Sequence, residues 1–328
     1  MELLLVNGLF LSPLVAQQQT LPQPAPAKDV TVAAIPGVIQ AGAKWTLVWQ
    51  GPGTADGIVG TDDGGLLFAQ EKTYHIYKLD KEDKVSVYLT DPHGPGAAAI
   101  GPNGQVIAAE RACTLQHVPP PATCPDPPAI SALTPRRKVL ADSFAGKLLG
   151  RINDLVADSN GGVYFTTGAA FYVSPTGKVS TVGLDLTTNG IMLSPDEKTL
   201  YITNGPVIAA FDVQPDGSVK NQREFGKLEG GGNGDGMAID AAGRLYVSTR
   251  PGVQVLGPDG KYLGLIPAQR SVTSSAFSGP DKKTLYVSCA GALGPDGQEI
   301  RTTPGVRNLA MTVYRIPMLA QGFKGRPK

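Results

Sequence analysis

The sequence predicts an all-β protein folded as a six-bladed β-propeller, and three observations support this prediction. Glycine and proline occur 41 and 28 times among the 328 residues, and 41% of the residues are hydrophobic. This composition is typical of a soluble protein with many short strands and many turns. One unit, an apolar strand, a turn and a strand rich in Leu, Tyr and Val, occurs six times. The spacing of the units matches the length of one four-stranded blade.

The six copies of the unit align at their turns. They are GIVGTDDGGLLFAQ (57–70), AAAIGPNGQVIAAE (97–110), DLVADSNGGVYFTTG (154–168), GIMLSPDEKTLYITN (190–204), GMAIDAAGRLYVST (236–249) and SSAFSGPDKKTLYVSC (274–289). The aligned turn residues are Gly64, Gly104, Gly161, Glu197, Gly243 and Lys282, which are 40, 57, 36, 46 and 39 residues apart. A second hairpin, such as VQVLGPDGKYLGLI, follows most units. Two hairpins make one four-stranded blade.

The last blade lacks one strand in the sequence that follows its first hairpin. Only MTVYRIPM remains there as a strand pattern. We therefore expect KWTLVWQ (44–50) to supply the outer strand of this blade. This pairing would close the ring and remove its open sheet edges.

The two ends of the chain differ in composition from the repeats. An apolar stretch over residues 3–16 predicts a signal peptide at 1–16 and export to the periplasm or outside the cell. A misassigned start codon on a cytoplasmic protein is the alternative. The stretch is too short and interrupted to span a bilayer. We expect a Pro/Gln-rich segment over 17–42, the propeller over 43–320 and a basic tail over 321–328.

The charge distribution argues against two classes of partner. The formal net charge is +1 and no long basic block occurs. Nucleic acids and membrane surfaces are bound through concentrated positive charge, so neither is expected as a partner. We expect a small molecule as the substrate, and a monomer or weak dimer.

The chain contains three cysteines. Export would favour a disulfide between Cys113 and Cys124, which flank a Pro-rich stretch. The alternative is a metal site that includes His117, although the spacing matches no standard zinc motif. Cys289 ends a strand pattern and is expected to be a buried, inert thiol.

Four polar residues occupy a common position in the repeats, just before the first strand of a unit. They are Asp56, Asn153, Asn189 and Asp235. The first strand of each blade lines the central channel of a propeller, so these side chains should converge at one end of it. Two carboxylates and two amide oxygens suit one hard divalent cation. Calcium is the first choice, magnesium or manganese is possible, and zinc is less favoured. The alternative for each residue alone is an ordinary turn role.

Three further residues are expected at the same end of the channel, which we call its mouth. Gly96 and Ser274 stand near the corresponding position in the other two blades, where they are expected to leave space for a ligand. Arg151 stands two residues before Asn153 and should point into the same opening. The alternative for Arg151 is a solvated surface charge.

Three segments also carry a family resemblance. RINDLVADSNGGVYFT, TTNGIMLSPDEKTLYITN and GDGMAIDAAGRLYVST resemble the signature segments of the regucalcin-like senescence-marker-protein/gluconolactonase family, and the resemblance covers residues 45–317. It implies that Asn189 and Asp235 bind one metal ion, that Asn153 contacts metal-bound water or substrate, and that Arg151 orients the substrate. The family's fourth ligand is usually a glutamate before Gly-Pro. Here Asp56 precedes Gly-Ile.

A second departure from the family concerns the substrate. The segment AERAC (109–113) stands where many relatives carry a histidine-containing segment. This difference bears on substrate identity more than on metal binding.

The resemblance implies a metal-dependent lactonase that opens sugar lactones such as gluconolactone. The cation would polarise the lactone carbonyl and activate water, with Asp235 and Asn153 as catalytic residues and Asp235 taking a proton from water. A hydroxide on the metal is the other route. One rival is a phosphotriesterase or arylesterase that uses the same site. Another is a non-catalytic extracellular binding module with a structural cation.

Overall fold

A computed structural model describes residues 21–90, 92–114 and 126–325. Within these residues, six four-stranded antiparallel sheets form the blades of a β-propeller, and no α-helix occurs. The predicted fold class is therefore confirmed.

The strands follow one another in the order that the repeats predict. They are β1 (Thr46–Gly51), β2 (Asp56–Gly60), β3 (Leu66–Gln70), β4 (His75–Leu79), β5 (Val85–Thr90), β6 (Pro95–Ile100), β7 (Val106–Glu110), β8 (Ala129–Ala132), β9 (Lys138–Ala141), β10 (Ser143–Phe144), β11 (Lys147–Leu148), β12 (Leu155–Ala157), β13 (Val163–Thr166), β14 (Ala170–Val173), β15 (Val179–Thr181), β16 (Thr188–Leu193), β17 (Thr199–Asn204), β18 (Val207–Val213), β19 (Val219–Lys227), β20 (Met237–Ile239), β21 (Leu245–Thr249), β22 (Gly252–Leu256), β23 (Tyr262–Pro267), β24 (Val272–Ser278), β25 (Thr284–Ala290) and β26 (Met311–Pro317).

Each blade uses consecutive strands, from the channel outward. Blades one to five consist of β2–β5, β6–β9, β12–β15, β16–β19 and β20–β23. Blade six has the order β24, β25, β26, β1. The strands β10 and β11 form a separate short hairpin between blades two and three.

Blade six closes the ring as the sequence predicts. β1 pairs antiparallel with β26, with Thr46 opposite Arg315 and Gly51 opposite Met311. The outer strand of the last blade therefore comes from the N-terminal side of the chain, so one sheet joins the two ends of the propeller.

Burial changes from the inner to the outer strand of a blade. In blade one, β2 is buried after its first residue, whereas almost all of β5 is exposed. All six turn residues aligned in the sequence have positive φ, between 55° and 89°. This left-handed conformation explains the frequent glycines there, and Glu197 and Lys282 adopt it despite their side chains.

The N-terminal segment is attached to blades five and six. Val32, Ile35, Val38 and Ile39 are buried in a cluster with residues of both blades, and Trp45 donates a hydrogen bond from its indole to the carbonyl of Pro267 at 2.8 Å. Part of the predicted 17–42 segment therefore packs on the propeller. The domain boundaries themselves stay a prediction.

Several predictions fall on other parts of the chain. The predicted signal peptide lies outside the described residues, as do Cys124 and His117 with the disulfide and its metal alternative. Export stays a prediction. In the described ranges, no helix is long and apolar enough to cross a membrane. Cys289 is a buried free thiol, and burial raises its pKa, which agrees with an inert structural role.

Candidate active site

The structure brings the four predicted ligands together at the end of the channel where the innermost strands begin. Asp56 opens β2 and Asn189 lies in β16, while Asn153 and Asp235 stand two residues before β12 and β20. All four line one small cavity, together with Asp154 and Thr273 and several small residues. This cavity is about 10 Å³ for a water-sized sphere, which is about the space that one water needs.

Glycines follow three of these four ligands and allow the innermost strands to approach one another. A Cβ atom on Gly57 would lie 2.1 Å from Cα of Ala97, and one on Gly190 would lie 2.2 Å from the carbonyl oxygen of Asp235. Both distances are too short for any side chain. The Asx-Gly pairs therefore bring neighbouring blades together around the cavity, which is a different role from that of an isolated turn.

Two sets of hydrogen bonds connect polar side chains of neighbouring blades. Asn153 Nδ2 donates to Asn189 Oδ1 at 2.5 Å, and the Asn189 side chain bonds the carboxyl group of Asp235. On the other side of the cavity, Thr273 Oγ1 donates to Asp56 Oδ1 at 3.3 Å. The ring of ligands is thus oriented by its own members and by one threonine.

The carboxyl groups in this cavity are electrostatically unfavourable by themselves. Burial raises the pKa of Asp235 well above its usual value, and the nearby carboxyl groups of Asp56 and Asp154 raise it further. Burial also raises the pKa of Asp56, although Arg111 opposes this shift. In the described part of the chain, no ion pair to Asp235 forms. A divalent cation would neutralise these oxygens, and oxygen-only ligands suit a hard cation.

Arg111 is a site residue that the sequence analysis did not identify. Its guanidinium donates to the carbonyl oxygen of Ile152 at 2.5 Å, to Glu71 Oε2 at 3.2 Å and to the carbonyl oxygen of Asn153. It also fills the space beside Gly96, where an added Cβ would lie 1.9 Å from Arg111 Cζ. Gly96 also lines the small cavity, so the expectation that it leaves space for a ligand stays a prediction.

Arg151 lies at the same mouth, as expected, and is held there by Glu71. Its guanidinium contacts the two carboxylate oxygens of Glu71 at 3.1 and 2.8 Å, and also the carbonyl oxygen of Thr114 at 2.5 Å. The Arg151 side chain is 25% exposed, whereas those of Arg111 and Glu71 are each 3% exposed. Arg151 is therefore held in place and is still accessible to a ligand. Arg111 is buried and shares the carboxylate of Glu71 with Arg151.

Glu71 and Arg111 have a positional signal that could have identified them. Each directly follows the second strand of its blade, since β3 ends at Gln70 and β7 at Glu110. Second strands run back to the end of the channel at which the first strands begin. A charged residue just after a second strand is therefore a candidate for the same mouth as the ligands.

Comparisons with known proteins give consistent results. Residues 54–291 match the model of the family described as SMP-30/Gluconolactonase/LRE-like region. A gluconolactonase of Zymomonas mobilis is 28% identical over 270 residues, which cover 69% of this chain and 72% of that protein. A gluconolactonase structure from Xanthomonas campestris superposes with a TM-score of 0.69 at 20% identity, over 91% of this chain and 98% of the other.

A further solved structure is described as a calcium-binding protein, regucalcin, from Agrobacterium tumefaciens. It superposes with a TM-score of 0.60 at 18% identity, over 86% of this chain and 98% of the other. At such identities the two structural likenesses establish the fold alone.

Proposed function

We propose the function of this chain from one premise: it belongs to the SMP-30/gluconolactonase/LRE-like family, whose model matches residues 54–291. The chain is a lactone-hydrolysing enzyme that acts on sugar lactones such as gluconolactone. The observation that carries this proposal is the convergence of Asp56, Asn153, Asn189 and Asp235 on one cavity, with Arg151 beside it.

A divalent cation is part of the proposed function. Asp56, Asn189 and Asp235 would hold it, with Asn153 beside them, and calcium is the first choice. The all-oxygen donor set and the crowding of partly buried carboxyl groups support a cation at this position. When bound, the cation polarises the lactone carbonyl and makes water more acidic.

Residues of the chain orient the substrate and transfer the proton. Arg151, fixed by Glu71, donates hydrogen bonds to oxygens of the lactone and so orients the ring. The side-chain amide of Asn153 contacts the substrate beside Arg151. Asp235 takes the proton of the attacking water as the water oxygen bonds to the carbonyl carbon. The bond between that carbon and the ring oxygen then breaks, the ring oxygen takes the proton from Asp235, and the product is the open hydroxy acid.

Metal removal tests this proposal. Exhaustive chelation should abolish hydrolysis of glucono-δ-lactone, and separate addition of calcium, magnesium, manganese and zinc should restore it, most fully with calcium. Asp235→Asn should lose activity in the calcium-loaded protein. The matched control is Asp212→Asn, which changes an exposed acid paired with Arg223 and should retain activity. Full activity with no metal by elemental analysis would refute the metal site.

The same preparations separate the rival functions. A phosphotriesterase or arylesterase would turn over a phosphotriester or an aryl ester faster than the lactone. A binding module would show a higher melting temperature with calcium and no turnover of lactone or ester.

A further inference from the structure

A second cavity, of about 500 Å³, lies between the N-terminal segment and the loops of blades five and six. Residues 21–25 form one part of its lining. Arg250, in the turn between β21 and β22, and Arg307, in the loop between β25 and β26, form another. We call it the arginine cavity. Its volume lies in the range of small-molecule sites.

Specific hydrogen bonds hold the N-terminal wall of this cavity. Asn308 Nδ2 donates to Gln23 Oε1 at 2.9 Å, and Gln23 Nε2 donates to Thr302 Oγ1 at 3.0 Å. Arg270, which is itself paired with Glu299 at 2.7 Å, donates to the carbonyl oxygen of Ala25 at 3.2 Å. The wall is thus built by polar contacts with the loop that carries Arg307 and with Arg270.

The charged residues that line the arginine cavity are all positive. No Asp or Glu lines it, and neither Arg250 nor Arg307 forms an ion pair among the residues that the structure describes. Arg270 nearby is different, because Glu299 neutralises it. Two exposed arginines therefore line one space, and neither has an ion-pair partner among the described residues.

The arginine cavity lies at the same end of the channel as the candidate active site. Arg250 directly follows β21, the second strand of blade five, just as Glu71 and Arg111 follow the second strands of their blades. Ser271 lines the arginine cavity and stands two residues before Thr273, which lines the cavity of the four ligands. Arg307 is exposed, so a substrate held at the candidate active site can extend to an arginine that is accessible to it.

We propose that the arginine cavity binds a carboxylate or phosphate group of the substrate, so that the preferred lactones are those of acidic sugars. This inference rests on the proposed lactonase function and specifies its substrate class. Guanidinium groups bind carboxylate and phosphate oxygens in pairs of charge-assisted hydrogen bonds. A neutral sugar offers no group of comparable strength for the two arginines.

Three lactones test the inference and distinguish its two anions. They are glucono-δ-lactone, which is neutral, a glucaric acid lactone, which adds a carboxylate, and 6-phosphogluconolactone, which adds a phosphate. We expect kcat/KM for at least one charged lactone to exceed that for the neutral one by about 10- to 100-fold. The larger of the two gains identifies the preferred anion.

Variants then assign the preference to the arginine cavity. In the double variant Arg250→Gln/Arg307→Gln, the ratio of charged to neutral kcat/KM should fall close to one. The matched control Arg223→Gln removes an exposed arginine on β19 and should keep the wild-type ratio. High salt should also lower the ratio in the wild type, because it screens exposed charges.

Binding calorimetry provides a readout without turnover. The wild type should bind glucarate more tightly than gluconate, and the double variant should bind the two alike. Hydrolysis of the neutral lactone with no preference for either charged one, and an unchanged ratio in the double variant, would overturn the inference and leave the lactonase function standing. Failure to hydrolyse any of the three lactones would instead contradict the lactonase function.

Discussion

Substitution of Glu71 by Gln should have a large effect, because this carboxylate neutralises two arginines at the mouth of the channel. It contacts Arg111 at 3.2 Å and Arg151 at 2.8 Å. At an effective dielectric constant of about 20, each such pair is worth roughly 4 kcal/mol before desolvation and arginine–arginine repulsion are subtracted. Removal of one partner from a buried pair typically costs about 3–5 kcal/mol, and we expect a loss in this range for Glu71→Gln.

The measurement is the free energy of unfolding in urea, with Asp212→Asn as the matched control. Asp212 also pairs with an arginine, Arg223, at 2.7 Å, but the two side chains are 41% and 45% exposed. Water screens an exposed pair, so the control should lose little stability. Glu71→Gln should also raise KM for glucono-δ-lactone, because Arg151 loses its anchor. Equal losses of stability in the two variants would refute the assignment of Glu71 as a buried counter-ion.

Two further predictions concern Asp56 and Glu110. In calorimetric titration, Asp56→Ala should bind calcium at least about tenfold more weakly than the wild type, because a ligand charge is lost. Asp56→Glu should bind calcium as tightly as the wild type or more tightly. Equal affinities for wild type, Asp56→Asn and Asp56→Ala would exclude Asp56 from the site. Burial raises the pKa of Glu110, but bonds from Arg137, Ser131 and the His93 amide outweigh burial and leave this pKa below its ordinary value of 4.5. The stability that Glu110 contributes is therefore complete above about pH 4.5 and lost as pH falls through the folded-state pKa, so the difference in melting temperature between wild type and Glu110→Gln should shrink from pH 7 to pH 3. A difference that stays constant over this range would contradict the prediction.

The ring of ligands could be predicted from the sequence because it depends on the repeat alone. Asp56, Asn153, Asn189 and Asp235 share one position relative to the first strand of a blade, and the blades place that position at one end of the channel. The pairing of β1 with β26 was predictable for a similar reason, since the last blade lacked a strand. Both inferences require only the register of the units.

Glu71 and Arg111, which lie around Arg151, and the arginine cavity could not be predicted in this way. Glu71, Arg111 and Arg307 lie in segments that follow second strands, and these segments differ in length from blade to blade. Their side chains reach across blade boundaries, as Arg111 does when it contacts Ile152 and fills the space beside Gly96. The repeat predicts where such a segment starts. The positions of its side chains depend on contacts between different blades.

The pairing of β1 with β26 has a consequence for the order in which the candidate site is completed. Thr46 and Arg315 meet across 269 residues of chain, whereas Gly60 and Leu66 of blade one meet across six. The entropic cost of loop closure grows as about 1.5RT times the logarithm of this separation, which makes the last blade costlier to close by about 3 kcal/mol. Asp56 follows β1 by five residues, and the amide of the preceding Ala55 contacts the sulfur of Met311 on β26 at 3.2 Å. Thr273 of blade six donates to Asp56 of blade one across the same closure, so we expect this contact, which orients one of the four ligands, to form only when the whole ring has closed.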